Sequence, residues 1–503
     1  VIAERNPWLI LAIVSAGLVL VGIDMTVLNV ALPILARELG ATTSEKLWMV
    51  NAYSLVLAGL LPGFGTLSDR IGHRRMFIAG LVVFGLSSAL AAFSPNATVL
   101  IGARALLAVG AAMTMPATIS IIRIAFTRDQ ERAVAIGIWG SVSAGATALG
   151  PILGGFLLEH FWWGAIFLIN VPVVLATMLF ALAKIPPISG NPSRHWDAAT
   201  SAILTVALVA LLYALKGLLK VDIHWTEVTA SALVGGAFFV WFLRRQRFLP
   251  SPLVDFALFG NARFSMGAMG ALYASFLMVG LQYALSQETQ LVRDFTPLHA
   301  GLYILPIAVG SFVAGPALGA ILFRIGVERM MAFSLGIAAL AMVLFTCTGE
   351  TAPLSWQISL LALVGFGLGG MMAVGSTSIM ISAPEEKAGM AGALEGIAYE
   401  LGGTLGVAIM GSVIASVYAR TFAPPAETIL PRSAWDSLDQ TLIAADELAA
   451  SAQPVIAAGK VAFMNGVSNA LVIGTVLTAA LFLLAALFAW NKKPEKGAAA
   501  VHR

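Results

Sequence analysis

The chain has 503 residues, 59% of them hydrophobic and only 11% charged, with a mean hydropathy of +0.90 and a formal net charge of +3. A soluble protein carries about 25% charged residues, so this composition excludes a water-soluble domain and implies a bilayer as partner, with no nucleic acid expected. The single cysteine, Cys347, excludes an internal disulfide framework and a cysteine metal site; it is expected to be a small buried residue, and no metal site is expected.

A membrane helix needs about 20 apolar residues, and fourteen such runs are predicted near 8–36, 47–67, 76–93, 99–124, 133–157, 163–183, 198–219, 227–243, 264–287, 298–322, 330–348, 355–380, 388–417 and 461–490. The first is of membrane length and lacks a small-residue cleavage site, so it is expected to remain as a span. Polar turns such as FSPNAT and KIPPISGNPSRHWD join the spans. Residues 418–460 form one long polar link, in which PRSAWDSLDQTLIAADELAA reads as an amphipathic surface helix. With the N terminus inside, twenty of the 29 Lys and Arg residues fall in inward segments, so both termini are expected in the cytoplasm.

The chain also resembles itself. GTLSDRIGHRR at 65–75 closes the second span and GAILFRIGVER at 319–329 closes the tenth, sharing the first Gly, then Arg-Ile-Gly, then the last Arg. An all-α membrane protein of two six-helix halves is therefore expected: 1–183 and 263–503, separated by two inserted transmembrane helices at 184–262. Parallel repeats place a substrate site at their interface near the midplane.

Charges inside the spans are expensive, and such residues are functional by default. Asp24 lies in the first span, Arg104 in the fourth, Glu395 and Glu400 in the thirteenth, and Glu288 near the outer end of the ninth. A carboxyl group in such surroundings holds either a proton or a cation, and the two states exclude each other, which suits exchange of one for the other. The plainer reading is an acid that ties helices together, or, for Arg104, a side chain that snorkels to the surface. On a helical wheel Glu395 and Glu400 are about 140° apart, flanking a stripe of Gly389, Gly392, Gly396, Gly403 and Gly406 fit for close helix packing. Glu400 is the favoured proton or cation site, with Glu395 as partner or entry site. Asn29, also about 140° from Asp24, is expected to pack against a neighbour. Tyr53, Trp139, Tyr273, Phe276, Met278 and Tyr283 are candidates for an adaptable apolar cavity where cations stack on rings, although packing is the commoner fate of each. GFGLGG at 365–370 matches a dinucleotide pattern only formally, since it lies within a span.

These segments carry a family resemblance over most of the chain. GTLSDRIGHRR resembles the loop motif between helices 2 and 3 of the major facilitator superfamily, GATALGPILGG at 145–155 its antiporter motif, and IDMTVLNVALP the first-helix motif of its fourteen-helix drug:proton antiporters; WGAIFLINVP at 163–172 fits as well. Ala146 and Ala108 stand where the fuller motifs have glycines. Within that branch the chain is most similar to bacterial exporters of quaternary ammonium compounds, dyes and methyl viologen.

The resemblance implies a proton-coupled antiporter in a bacterial inner membrane. It would export lipophilic mono- and dications, biguanide antiseptics among them, by alternating access, as a monomer that needs no cofactor beyond the proton gradient. Arg104 would serve proton transfer, and Asp69, Arg70 and Arg74 would lock the halves on the cytoplasmic side, a latch that Phe323 removes from the second copy. Gly150, Pro151, Gly154 and Gly155 would shape a tightly packed fifth helix. A narrower substrate, such as a tetracycline-like drug, an amino acid or a siderophore, is the alternative. An enzyme is not expected: there is no P-loop, and the six histidines are scattered rather than clustered at a membrane surface.

Overall fold

The computed structural model describes residues 6–491, except position 42 and residues 188–189, 192–195, 219–222, 250–251, 350–351, 385–386, 426–427, 429, 436 and 446–451. The side chains of Asn29 and Phe323 are also outside the described residues, and with them the expectations placed on those two.

The chain runs α1 (Pro7–Glu38), α2 (Thr43–Ile71), α3 (His73–Ala92), α4 (Ala97–Ala125), α5 (Asp129–His160), α6 (Ala165–Leu168), α7 (Asn170–Lys184), α8 (Ala198–Leu218), α9 (Trp225–Gln246), α10 (Ala262–Leu291), α11 (Pro297–Ile325), α12 (Val327–Thr348), α13 (Leu354–Ser382), α14 (Ala388–Thr421), α15 (Leu438–Ala445) and α16 (Ala452–Asn491). No strand occurs among the described residues. Hydrocarbon offers no partner to a backbone N–H or C=O, and helices satisfy these groups within themselves. Thirteen described segments are long and apolar enough to cross a bilayer, α6 and α7 counting as one. The 32-residue α5 lies where the remaining span is expected.

Three details depart from expectation. The sixth span is interrupted after Leu168, because Pro172 has no N–H for that carbonyl and its ring crowds it. The last helix begins at Ala452 rather than 461, since AQPVIAAGK is rich in good helix formers and its proline sits in the first turn, where it is tolerated. Among its described residues the polar link accordingly contains a short 3₁₀ turn, Arg432–Trp435, and the eight-residue α15. Cys347, expected to be buried, is exposed at the end of α12, where the helix gives way to the turn at Gly349.

The internal repeat is visible in the backbone. Gly72 joins α2 to α3 at φ 99° and Gly326 joins α11 to α12 at φ 90°, a region that L side chains rarely enter. Just before these turns, a Cβ on Gly65 would strike the Gly389 carbonyl and Ala393 of α14, and one on Gly319 would lie 2.8 Å from the Ala133 carbonyl of α5. Thus α2 crosses α14 as α11 crosses α5. One apolar core is drawn mainly from α1–α7 and a second from α10–α16. The inserted α8 and α9 pack on each other, and α8 packs on α2, where Thr205 Oγ1 and Trp196 Nε1 each donate across 3.0 Å to the carbonyls of Gly59 and Gly63. The end of the bundle carrying the α2–α3 turn is called the turn face below, and the end carrying α15 the loop face.

Candidate functional site

Asp24 on α1 and Arg104 on α4 form a buried ion pair, with the two residues 0% and 1% exposed. Nη1 of Arg104 donates to Oδ2 of Asp24 and, across 3.2 Å, to the Asp24 carbonyl, while Nε donates to the Met49 carbonyl at 3.2 Å. The guanidinium carbon lies 4.7 Å from the ring centroid of Tyr53 on α2, a cation–π contact. Arg104 therefore does not snorkel; it ties α1, α2 and α4 together around Asp24. Oδ1 of Asp24 and the hydroxyl of Tyr53, both buried, have no hydrogen-bond partner. Asn170 of α7 stands beside Asp24, and its amide donates to Ser88 Oγ at 3.2 Å. Sequence reasoning missed Asn170, although the segment INVP, which contains it, had been singled out.

One of the two acids of α14 approaches this pair from the other half. Glu400 is buried, and α14 packs against α2. Gly396 meets Leu61, and Leu401 packs against the cluster of Leu55, Ala58 and Leu212. Continuing that antiparallel register puts Tyr53 within about one helical turn of Glu400, and the Tyr53 hydroxyl is close enough to feel the charges of Asp24, Arg104 and Glu400. Glu395 is buried lower on the helix, toward the turn face. Its Oε1 accepts from the Tyr399 hydroxyl at 3.0 Å, and its Oε2 is unpartnered. The structure thus brings Asp24, Arg104 and Glu400 around Tyr53 and sets Glu395 against its own helix and Ser376 of α13.

Glu288 is elsewhere. It pairs with Arg293 at 2.6 Å near the loop face, Arg293 lies 5.1 Å from the Tyr303 ring centroid, and Tyr303 donates to Gln357 at 2.6 Å. These contacts tie α10, α11 and α13 together.

At the turn face the halves are locked. Oδ1 of Asp69 accepts the Gly389 N–H at 2.9 Å, and its backbone carbonyl accepts from Asn191 at 2.9 Å. Of the three expected latch residues only Asp69 reaches the seam. Arg70 is exposed, and Arg74 donates to the Leu182 carbonyl of α7 at 2.8 Å, within its own half. Two further contacts escaped the sequence reading because their partners are remote in the chain. Arg123 donates to the Ala383 carbonyl at 2.7 Å, joining the ends of α4 and α13, and Lys387 pairs with Asp255 at 2.5 Å. The Lys387 hydrogen bond holds the Asp255 carboxyl below its ordinary value. Nearby, the Thr200 hydroxyl, with Arg245, holds Asp197 low.

The antiporter-motif segment is wedged between two helices. Cβ atoms on Gly150 and Gly154 would run into Thr26 and Val27 of α1, one turn from Asp24, while Gly155 and Pro151 face Leu298 and Gly301 of α11. Nearer the turn face Ser141 donates to the Ser311 carbonyl at 2.9 Å, so α5 and α11 touch along their length.

Of the cavity candidates, Tyr53 alone sits in the ionic cluster. Trp139 donates to Thr118 Oγ1 at 2.9 Å. Tyr273 binds Thr478 of α16 at 2.7 Å and stacks on Phe276 at 5.9 Å. Met278 lies in the second core, and Tyr283 lies against Gly411.

A membrane-spanning bundle of two helical lobes, with opposed charged residues buried near their seam and a latch at one end, defines a transporter. The chain belongs to the Major Facilitator Superfamily, whose family model matches residues 14–407. It is 37% identical to the methyl viologen resistance protein SmvA of Salmonella typhimurium over 422 residues, 84% of this chain and 85% of the relative. It is 34% identical to the multidrug efflux pump LfrA of Mycolicibacterium smegmatis over 485 residues, 95% of each. Its fold is similar to that of the human organic anion transporter MFSD10 (TETRAN), with a TM-score of 0.59 and 16% identity, over 92% of this chain and 99% of that one.

Proposed function

We propose that this chain is a proton-coupled multidrug efflux antiporter of lipophilic mono- and dications, quaternary ammonium compounds, dyes, methyl viologen and biguanide antiseptics among them. The observation that carries the reading is the buried Asp24–Arg104 pair opposed by Glu400 at the seam. The names of the relatives, methyl viologen resistance protein and multidrug efflux pump, support the substrate class.

In this reading the turn face is cytoplasmic, both termini lie there in a bacterial inner membrane, and the Asp69–Gly389 latch is closed. Residues 1–183 and 263–503 rock against each other, with 184–262 riding on α2. A proton on Asp24 weakens its hold on Arg104, and a proton on Glu400 removes the carboxylate that attracts a cationic drug, so proton and drug compete. Glu395 offers a second protonation site nearer the cytoplasm; Glu288 is assigned a structural role. Exchange of one monovalent cation for one proton moves no net charge. A dication exchanged for one proton would leave one charge moving against the potential, about 2.3 kcal/mol per 100 mV, which a second proton removes. No cofactor takes part, and a monomer suffices.

The test uses energised inverted vesicles, following the pH gradient as ethidium, a quaternary ammonium or methyl viologen is added. Collapse of the gradient by wild type, lost in Asp24→Asn and Glu400→Gln, is expected. If no cation disturbs the gradient with folded wild-type protein, the cation reading is wrong and a narrow substrate takes its place.

A further inference from the structure

We propose that Tyr53 is the positioning residue that couples the Asp24–Arg104 pair of one half to Glu400 of the other; the inference rests on the proton-antiport reading above. Tyr53 is 1% exposed, and its two ends have different surroundings. The ring face covers the Arg104 guanidinium at 4.7 Å and is part of what holds that cation in place. The hydroxyl is buried and unpartnered. A buried hydroxyl without a hydrogen bond costs about 1–3 kcal/mol, so its persistence among charged groups requires an explanation.

The charged groups around it supply one. Asp24 on α1, Arg104 on α4 and Glu400 on α14 are near enough for their charges to act on it, the α2–α14 register sets Glu400 within about one helical turn, and Oδ1 of Asp24 is a second buried polar atom lacking a partner. The hydroxyl can donate to one carboxylate at a time. With Asp24 protonated and Glu400 ionised, Glu400 is the better acceptor. With Glu400 protonated and Asp24 ionised, the Asp24 carboxylate is. Charge-assisted hydrogen bonds are roughly twice as strong as neutral ones, so the hydroxyl reports the proton state of one half to the other.

Its position on α2 makes that report mechanical. The same helix carries Asp69, whose carboxylate holds α14 at the turn face, and Leu61, which packs on Gly396 between the two points. A shift of the Tyr53 hydroxyl between acceptors thus acts along the α2–α14 contact that must open on the other stroke. Neither Asp24 nor Glu400 lies on α2, so Tyr53 is the group through which their proton states act on that helix.

The experiment uses purified full-length protein in proteoliposomes with ethidium as probe. Two rates are measured: ethidium equilibrium exchange without a gradient, and accumulation driven by an imposed pH gradient. Tyr53→Phe keeps the ring over Arg104, so exchange is expected to fall less than gradient-driven accumulation. Gradient-driven accumulation is expected to fall at least about tenfold, the equivalent of one net hydrogen bond. Tyr53→Leu, which also removes the cation–π contact, is expected to lower both. Wild-type accumulation by Tyr53→Phe overturns the inference, as does an equal fall in exchange and accumulation, which marks a merely structural role. Asp24→Asn and Glu400→Gln are run alongside. If they lose accumulation while Tyr53→Phe keeps it, only the role of Tyr53 fails; if they keep it too, the proton-antiport reading fails with it.

Discussion

Replacing Gly389 by alanine tests the latch where α2 and α14 meet. The added Cβ would land on Oδ1 of Asp69 and on the Gly65 carbonyl oxygen, with Asp69 Cγ at 2.9 Å. One obstacle is backbone and another is the acceptor of the latch bond itself, so no side-chain rotation relieves the clash; the helices must separate. Separation breaks the Gly389 N–H bond to Asp69, and a hydrogen bond to a charged group is worth about 1.5–3 kcal/mol. The closed-to-open ratio at this face should therefore fall by about 10- to 150-fold. The assay is pulsed electron paramagnetic resonance between spin labels at the exposed, repeat-related positions Arg75 and Arg329, in a Cys347→Ser background because Cys347 is exposed. The distance distribution should shift toward an open population in Gly389→Ala. Gly140→Ala, which has nothing within 4 Å of its new Cβ, serves as control and should leave it unchanged. An unshifted distribution in Gly389→Ala, or an equal shift in the control, would refute the latch argument.

Asp24→Asn strands the Arg104 guanidinium in the interior and should cost about 3–5 kcal/mol of stability, read as an earlier thermal unfolding in detergent. The double variant with Arg104→Gln should regain much of that loss without regaining gradient-driven transport. Glu288→Gln should loosen the loop-face cluster around Arg293 yet keep the gradient response, and loss of coupling in a folded variant would return Glu288 to the proton path. For Lys387→Gln the sign follows from the depressed Asp255 carboxyl. Its contribution is fully present above the ordinary aspartate value of about 3.9 and is lost as pH falls through the lower folded value. Wild type should thus unfold later than the variant at neutral pH, with the gap closing only in strong acid; a gap that widens on acidification contradicts the assignment.

The spans were legible because hydrocarbon imposes one rule on every residue in contact with it, and a run of about 20 apolar residues is its direct signature. The repeat was legible through Gly72 and Gly326, whose positive φ fixes glycine at equivalent turns. Asp24 and Glu400 stood out because a carboxylate in an apolar run needs a reason. Their common neighbour did not: Tyr53 is one aromatic among many, and nothing local says that it covers Arg104. Periodicity likewise set Glu395 and Glu400 on different sides of α14 but could not tell which of them looks at the other half.

Sequence by itself determined that this chain is an all-helical membrane protein and carries charges where charges are costly, since both follow from the free energy of single residues in hydrocarbon. Only the tertiary structure decided what those charges meet. Arg104 reaches across α1, α2 and α4, Asp69 closes on a backbone N–H 320 residues away, Arg123 reaches a carbonyl on α13, and Glu288 is drawn off to a cluster of its own. Pairing depends on which helices the packing of small residues brings together, and that is a property of the assembled bundle rather than of any one segment.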